Sequence, residues 1–176
     1  MGRSVAVLAA ALVGLSGCTM HSDAKDEWPD GSWRGVKATC PTLDSDTAKR
    51  VGLTGEGYPG VSTLDRGSIN KIDCTWGDPA GQVPALHAEV TIYRAQKAAD
   101  AHYSGLNSDA DPVPGLGDQA NALAVPPSVK IYVKSRNAVA VVDFTRRTDT
   151  GALEGRQRTD AVSLAADVLD DLRTDP

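Results

Sequence analysis

Aromatic residues are scarce in this chain: three Trp, four Tyr and one Phe make up 5% of its 176 residues. A core with so few rings must be filled by aliphatic side chains. The 41% hydrophobic fraction suffices for that and is too high for a chain disordered throughout. Basic residues are in deficit, 18 against 23 acidic, which excludes a nucleic-acid binder with a broadly positive surface. No apolar run reaches the roughly 20 residues that a bilayer-spanning helix needs. Histidine is limited to His21, His87 and His102. Gly-x-Ser-x-Gly, His-Glu-x-x-His and Cys-x-x-Cys are all absent, so no local signature of a hydrolase elbow, a zinc protease or a redox pair is present. No segment repeats at a solenoid period.

What is present begins with an address. Arg3 precedes the apolar stretch SVAVLAAALVGL over 4–15, and Ser16 and Gly17 supply the small residues of a cleavage site. An Ala/Val/Leu helix without a polar face does not lie amphipathically on a soluble core, so residues 1–17 read as a signal peptide. Leu15-Ser16-Gly17-Cys18 then resembles the lipobox of bacterial lipoproteins. That resemblance implies cleavage before Cys18 and a diacylglycerol on its thiol. Each buried methylene contributes about 0.8 kcal/mol, so two or more acyl chains hold a protein stably. The expected location is the outer face of the cytoplasmic membrane.

Residues 18–39 are polar, punctuated by Pro29, Gly31 and Gly35, and read as the lipidated N-terminus and a tether. As a coil the tether spans on the order of 25 Å. Trp28 and Trp33 are unusual in a spacer; they either fold back on the domain or rest at the membrane interface. With Cys18 set aside, Cys40 and Cys74 remain, an even pair in an exported domain. An oxidising compartment favours a disulfide over a metal or redox pair here, because neither cysteine has ligand-spaced partners. Such a cross-link contributes about 3–4 kcal/mol in the chain-entropy picture.

Residues 40–176 read as one α+β domain, an antiparallel sheet with two to three packed helices and one disulfide. Leu43 to Val51 forms a short helix capped by Asp44 or Ser45 and ended by Gly52. Val61 to Leu64 and Ile69 to Trp76 are short strands around an Asp65-Arg66-Gly67 turn. Leu86 to Arg94 alternates cleanly, with Leu86, Ala88, Val90 and Ile92 on one face and His87, Glu89, Thr91 and Tyr93 on the other. Ala95 to Leu106 has helical spacing that puts His102 on the core side. A Pro/Gly-rich loop leads to Gly117. Val129 to Ser135 and Ala138 to Thr145 form a hairpin through Arg136-Asn137. The last helix runs from Thr159, its cap, to Leu172, with Ala161, Ala165, Val168 and Leu172 as its apolar stripe. Hairpins rather than strand–helix alternation favour α+β.

Beyond the lipobox, Cys40-Pro41, Cys74-Thr75-Trp76 and Gly115-Leu116-Gly117-Asp118-Gln119-Ala120 followed by a hairpin resemble a family of actinobacterial cell-envelope lipoproteins built on a domain of unknown function. The likeness covers about residues 40–172. It implies that Cys40 pairs with Cys74 and that Trp76 packs beside them, and it carries over no catalytic residue.

Three weaker constellations complete the reading. Gly115-x-Gly117-x-x-Ala120 matches a dinucleotide fingerprint in form, but Asp111-Pro112-Val113-Pro114 before it is no central strand, so it reads as a turn. Asn107, Asp109, Asp111 and Asp118 echo half a calcium loop, with Pro112 where that loop needs Gly; a solvated acidic loop is the better reading and no metal or cofactor is expected. Arg146, Arg147, Arg156 and Arg158 bracket the loop before the last helix and are the candidate binding residues for a phosphate-rich polymer, lipid head group or envelope partner. The expectation is a non-enzymatic binding or accessory module without nucleic acid. The alternative is an extracytoplasmic hydrolase using His87, its partners drawn from distant positions.

Overall fold

The computed structural model describes residues 32–60, 64–65, 69–77, 83–106, 109–146 and 154–173. The signal segment 1–17, Cys18, His21, Trp28, the expected strand at 61–63, the turn residues Arg66 and Gly67, Asn107 and Arg147 lie outside the described residues.

In chain order the elements are β1 (Thr42–Leu43), α1 (Asp46–Val51), β2 (Gly55–Glu56), β3 (Tyr58–Pro59), β4 (Leu64–Asp65), β5 (Ile69–Gly77), β6 (Ala85–Tyr93) and α2 (Gln96–Ser104). They continue with β7 (Asp111–Pro112), β8 (Gln119–Val125), β9 (Ser128–Ser135), β10 (Ala138–Thr145) and α3 (Glu154–Leu172). Eight strands form one sheet in the order β3-β5-β6-β10-β9-β8-β7, with β4 also on β5, while β1 and β2 pair by themselves. Each of these strand pairs runs antiparallel, so the architecture is the expected α+β domain.

Alternation along the strands sorts the side chains between two covered faces. On one face Ile72, Cys74 and Trp76 of β5, Leu86, Ala88, Val90 and Ile92 of β6, and Val142 and Phe144 of β10 are buried against the α3 stripe of Ala161, Leu164, Ala165, Val168 and Leu172. On the other, α2 lays Ala99 and Tyr103 on Tyr132 and Val139. That cover explains why Thr91, read as outward-facing, is buried.

Cys40 and Cys74 form the disulfide, with their Cα atoms 5.6 Å apart, well inside the range a bridge requires. Trp76 packs beside it and donates its indole N–H to the Pro41 carbonyl at 2.8 Å. Gly57 shows how tight this corner is: a Cβ there would lie 2.6 Å from the Trp76 ring and 2.8 Å from Cys40 Cβ. Ser45 caps α1 by accepting from Ala48 N–H, and Gly52 closes it in the left-handed conformation at φ 79°.

Three boundaries differ from the sequence reading. β8 falls between Gly117 and Val129, where the sequence reading placed no element, because its inward residues are Ala120 and Ala122, small side chains of low strand preference whose place is set by pairing with β9. α3 starts at Glu154, not at a Thr159 cap; Thr159 is interior and donates its hydroxyl to Gly155 O. The folded body also reaches back to Ser32, so residues 32–39 belong to the domain and not to the tether assigned through residue 39: Trp33 is only 2% exposed. Among the described residues no helix is long and apolar enough to cross a membrane.

Candidate functional site

The sheet has two poles. Its eight- and nine-residue strands place them about 25–30 Å apart. The β9–β10 turn, the start of β5 and the C-terminal end of α3 lie at one pole. The β8–β9 turn, the ends of β5 and β10 and the first turns of α3 lie at the other.

The N-terminal segment is clamped at the first pole. Asn137, in the β9–β10 turn and 1% exposed, accepts the Trp33 N–H at 2.8 Å and donates its amide to Trp33 O at 2.9 Å and to Tyr93 O at 2.7 Å. The Trp33 indole N–H donates to Ser135 Oγ, and the Arg173 guanidinium lies over the ring at 5.8 Å. Lys37 N–H then donates to Leu172 O. Trp33 thus folds back on the domain, held by polar partners that no sequence pattern joins to it.

At the far pole the arginines are largely answered by acids. Asp160, 1% exposed, sits between two guanidinium groups: Arg50 Nη2 at 2.6 Å from Oδ1 and Arg146 Nη1 at 3.5 Å from Oδ2. Arg158 reaches Asp111 at 3.1 Å and the Pro112 carbonyl at 3.2 Å. Arg156 is exposed on the first turns of α3. The structure therefore gathers Arg146, Arg156 and Arg158 at one pole, with two of the three charges already paired. The buried carboxylate at Asp160 is the residue that sequence reading missed, since nothing local distinguishes it from a surface acid on a helix.

Two clefts open at this same pole. The smaller, about 250 Å³, lies between the edge of β8 and α3 and is lined by Ala122, Ala124, Ser128, Gln157 and Arg158 among others. Gln157 is buried and its amide donates to Pro127 O, which fixes that wall to the β8–β9 turn. The larger, about 670 Å³, lies between the 52–59 segment and the β5–β6 end of the sheet. It falls in a stretch read from sequence only as turn material.

His87 stands on the open sheet face, across from Thr75, which in turn pairs with Tyr58. It projects from β6 onto the sheet face beyond α2, with its side chain 46% exposed, and its Nε2 lies 2.6 Å from Asp73 Oδ1. Thr75 and Asp143 sit opposite it on the neighbouring strands. Lys71–Glu89 at 2.6 Å and Lys130–Asp143 at 3.5 Å continue a row of ion pairs on that face. His87 lines neither of the two clefts. His102 has a structural bond: its Nδ1 meets Tyr93 Oη at 2.7 Å and the rings pack edge to face, tying α2 to β6. Burial, with a smaller contribution from Glu89, raises the Tyr93 pKa, so the phenol keeps its proton in that bond.

The remaining motifs resolve into local structure. Gly115 and Gly117 have φ of 79° and 62° and lead into β8, a strand rather than the helix that a pyrophosphate site needs. Of the calcium-like acids, Asp111 is held by Arg158 and Asp118 accepts from Arg136 N–H. Among the described residues, no three His, Cys, Asp or Glu side chains converge as a metal site. No protein-family model matches this chain, and no curated protein or solved structure shows detectable similarity to it.

Proposed function

We propose that this chain is an exported cell-envelope lipoprotein, held by a lipidated Cys18 on the outer face of the cytoplasmic membrane and acting there as a non-enzymatic binding or accessory module. The observation that carries the reading is the polarity of the domain. The chain arrives from the Cys18 side at the Trp33 pole, while both clefts and the arginines Arg146, Arg156 and Arg158 occupy the opposite pole. A tethered domain with that arrangement offers its concave surfaces to the envelope and not to its own anchor. The disulfide is consistent with an oxidising compartment. The lipobox, and the likeness to actinobacterial envelope lipoproteins of unknown function, support the address. The partner is an envelope protein or polymer.

In-cell photo-crosslinking tests this reading. A crosslinker at Arg156 should capture one reproducible envelope partner, and one at Arg136, near the Trp33 pole, should not. Equal capture from both positions, or an adduct at position 156 that survives neutralising Arg146, Arg147 and Arg158, would refute it.

A second reading, an extracytoplasmic hydrolase, is favoured by one observation: the 2.6 Å His87–Asp73 pair has the geometry of a carboxylate-oriented general base. Against it stand the pair's open position and its absence from the lining of either cleft. Hydrolysis of a generic ester by the wild type that vanishes in His87→Ala would establish it; activity unchanged by that substitution, or none, would remove it.

A further inference from the structure

The larger cleft differs in charge from its smaller neighbour, whose lining pairs Asp111 with Arg158. Among its described lining residues Glu56 is the one charged side chain, and none is a lysine, arginine or histidine. Tyr58 stands two residues on, 56% exposed, and Val83 on the rim is 38% exposed. These are two of the three large hydrophobic side chains left exposed among the described residues, and both border this one cleft. Gly57 between Glu56 and Tyr58 is pressed against Trp76, so the backbone is fixed with its flanking side chains on the solvent side. The Cys40–Cys74 bridge lies directly behind, since Pro59 pairs with Cys74. The wall is therefore rigid, and its volume of about 670 Å³ lies in the usual range for ligand sites.

A carboxylate and an exposed aromatic ring two residues apart on one cleft wall, with an apolar rim and no cation among the described lining residues, is the combination that receives a positive charge on an aliphatic stem. The charge lies against the carboxylate and the ring face, and the methylenes cover the rim. We infer that this cleft binds a primary ammonium or guanidinium group, presented as a lysine or arginine side chain of a peptide partner. The inference goes beyond the proposed function and rests on the cleft alone, so it stands or falls independently of lipidation at Cys18.

The test is a titration of the purified, isotope-labelled chain, following the amide signals of Glu56 and Gly77 and the indole N–H of Trp76. The probes are Nα-acetyl-lysine methylamide, its uncharged isostere Nα-acetyl-norleucine methylamide, and n-butylamine. The lysine probe should give saturable shifts at these signals and bind at least about fivefold more tightly than the norleucine probe. Glu56→Gln and Tyr58→Ala should each weaken it by a similar factor, while Glu89→Gln on the sheet face leaves it unchanged. Tighter binding of the capped lysine than of butylamine identifies a peptide source. Butylamine binding as tightly would keep the ammonium site and overturn the peptide assignment. Equal binding of lysine and norleucine, binding indifferent to Glu56→Gln, or no saturable shift would overturn the whole inference.

Discussion

Asn137→Ala is the substitution that most searchingly tests how the N-terminal segment is held. The Asn137 side chain satisfies three backbone groups, Trp33 N–H, Trp33 C=O and Tyr93 C=O, at 2.7–2.9 Å and almost out of reach of solvent. Leaving a buried backbone group unpaired costs about 1–3 kcal/mol. Water entering as the segment loosens recovers part of that, so the expected loss is about 3 kcal/mol for the three together. For a domain of this size that corresponds to a fall in Tm of about 9 °C. In urea it lowers the midpoint by about 1.5 M if the slope is near 2 kcal/mol per molar. Denaturation followed by both circular dichroism and tryptophan fluorescence reads the two consequences: reduced stability, and a red-shifted native spectrum as Trp33 meets water. Ser135→Ala, which removes only the acceptor of the Trp33 indole, should cost about 1 kcal/mol. A loss below about 1 kcal/mol for Asn137→Ala, with an unshifted native spectrum, would refute the clamp.

Three further outcomes follow from the same structure. Replacing Cys40 and Cys74 together by Ala should lower stability by about 3–4 kcal/mol in urea unfolding, and an unchanged midpoint would contradict the staple. Asp160→Asn should cost about 2 kcal/mol, less than a fully buried pair because Arg50 and Arg146 are half and one-third exposed, and a thermal melt within about 1 °C of wild type would contradict it. Because burial raises the Tyr93 pKa, the unfolded chain ionises first as pH climbs, so the Tyr93 contribution is intact below its ordinary value of 10.0 and is lost as pH rises through the folded value. Stability measured from pH 9 upward should fall more steeply in the wild type than in Tyr93→Phe, and parallel curves would contradict the assignment.

What the sequence disclosed depended on whether a local signal existed. β6 announced itself because Leu86, Ala88, Val90 and Ile92 alternate, and all four are buried as that pattern requires. The α3 stripe was legible for the same reason, as was the Ser45 and Gly52 punctuation of α1. β8 was not: Ala120 and Ala122 lack the bulk by which a strand is recognised, and only pairing with β9 makes them one. The start of α3 was hidden because Gly155 and the charged residues beside it resemble loop, whereas Gln157 earns its burial through Pro127, thirty positions away. The candidate sites divide likewise. The arginines were visible as a cluster, but their neutralisation by Asp160 and Asp111 arises from tertiary contacts. Glu56 and Tyr58 passed as turn residues because only the fold places them on a cleft.

The lipid anchor at Cys18 is tested most directly by the intact mass of the protein extracted by detergent from its own membranes. The predicted species begins at Cys18 and exceeds the mass of its polypeptide by a diacylglyceryl group or more. A chain beginning upstream of Cys18, or a Cys18 N-terminus without lipid, would contradict it.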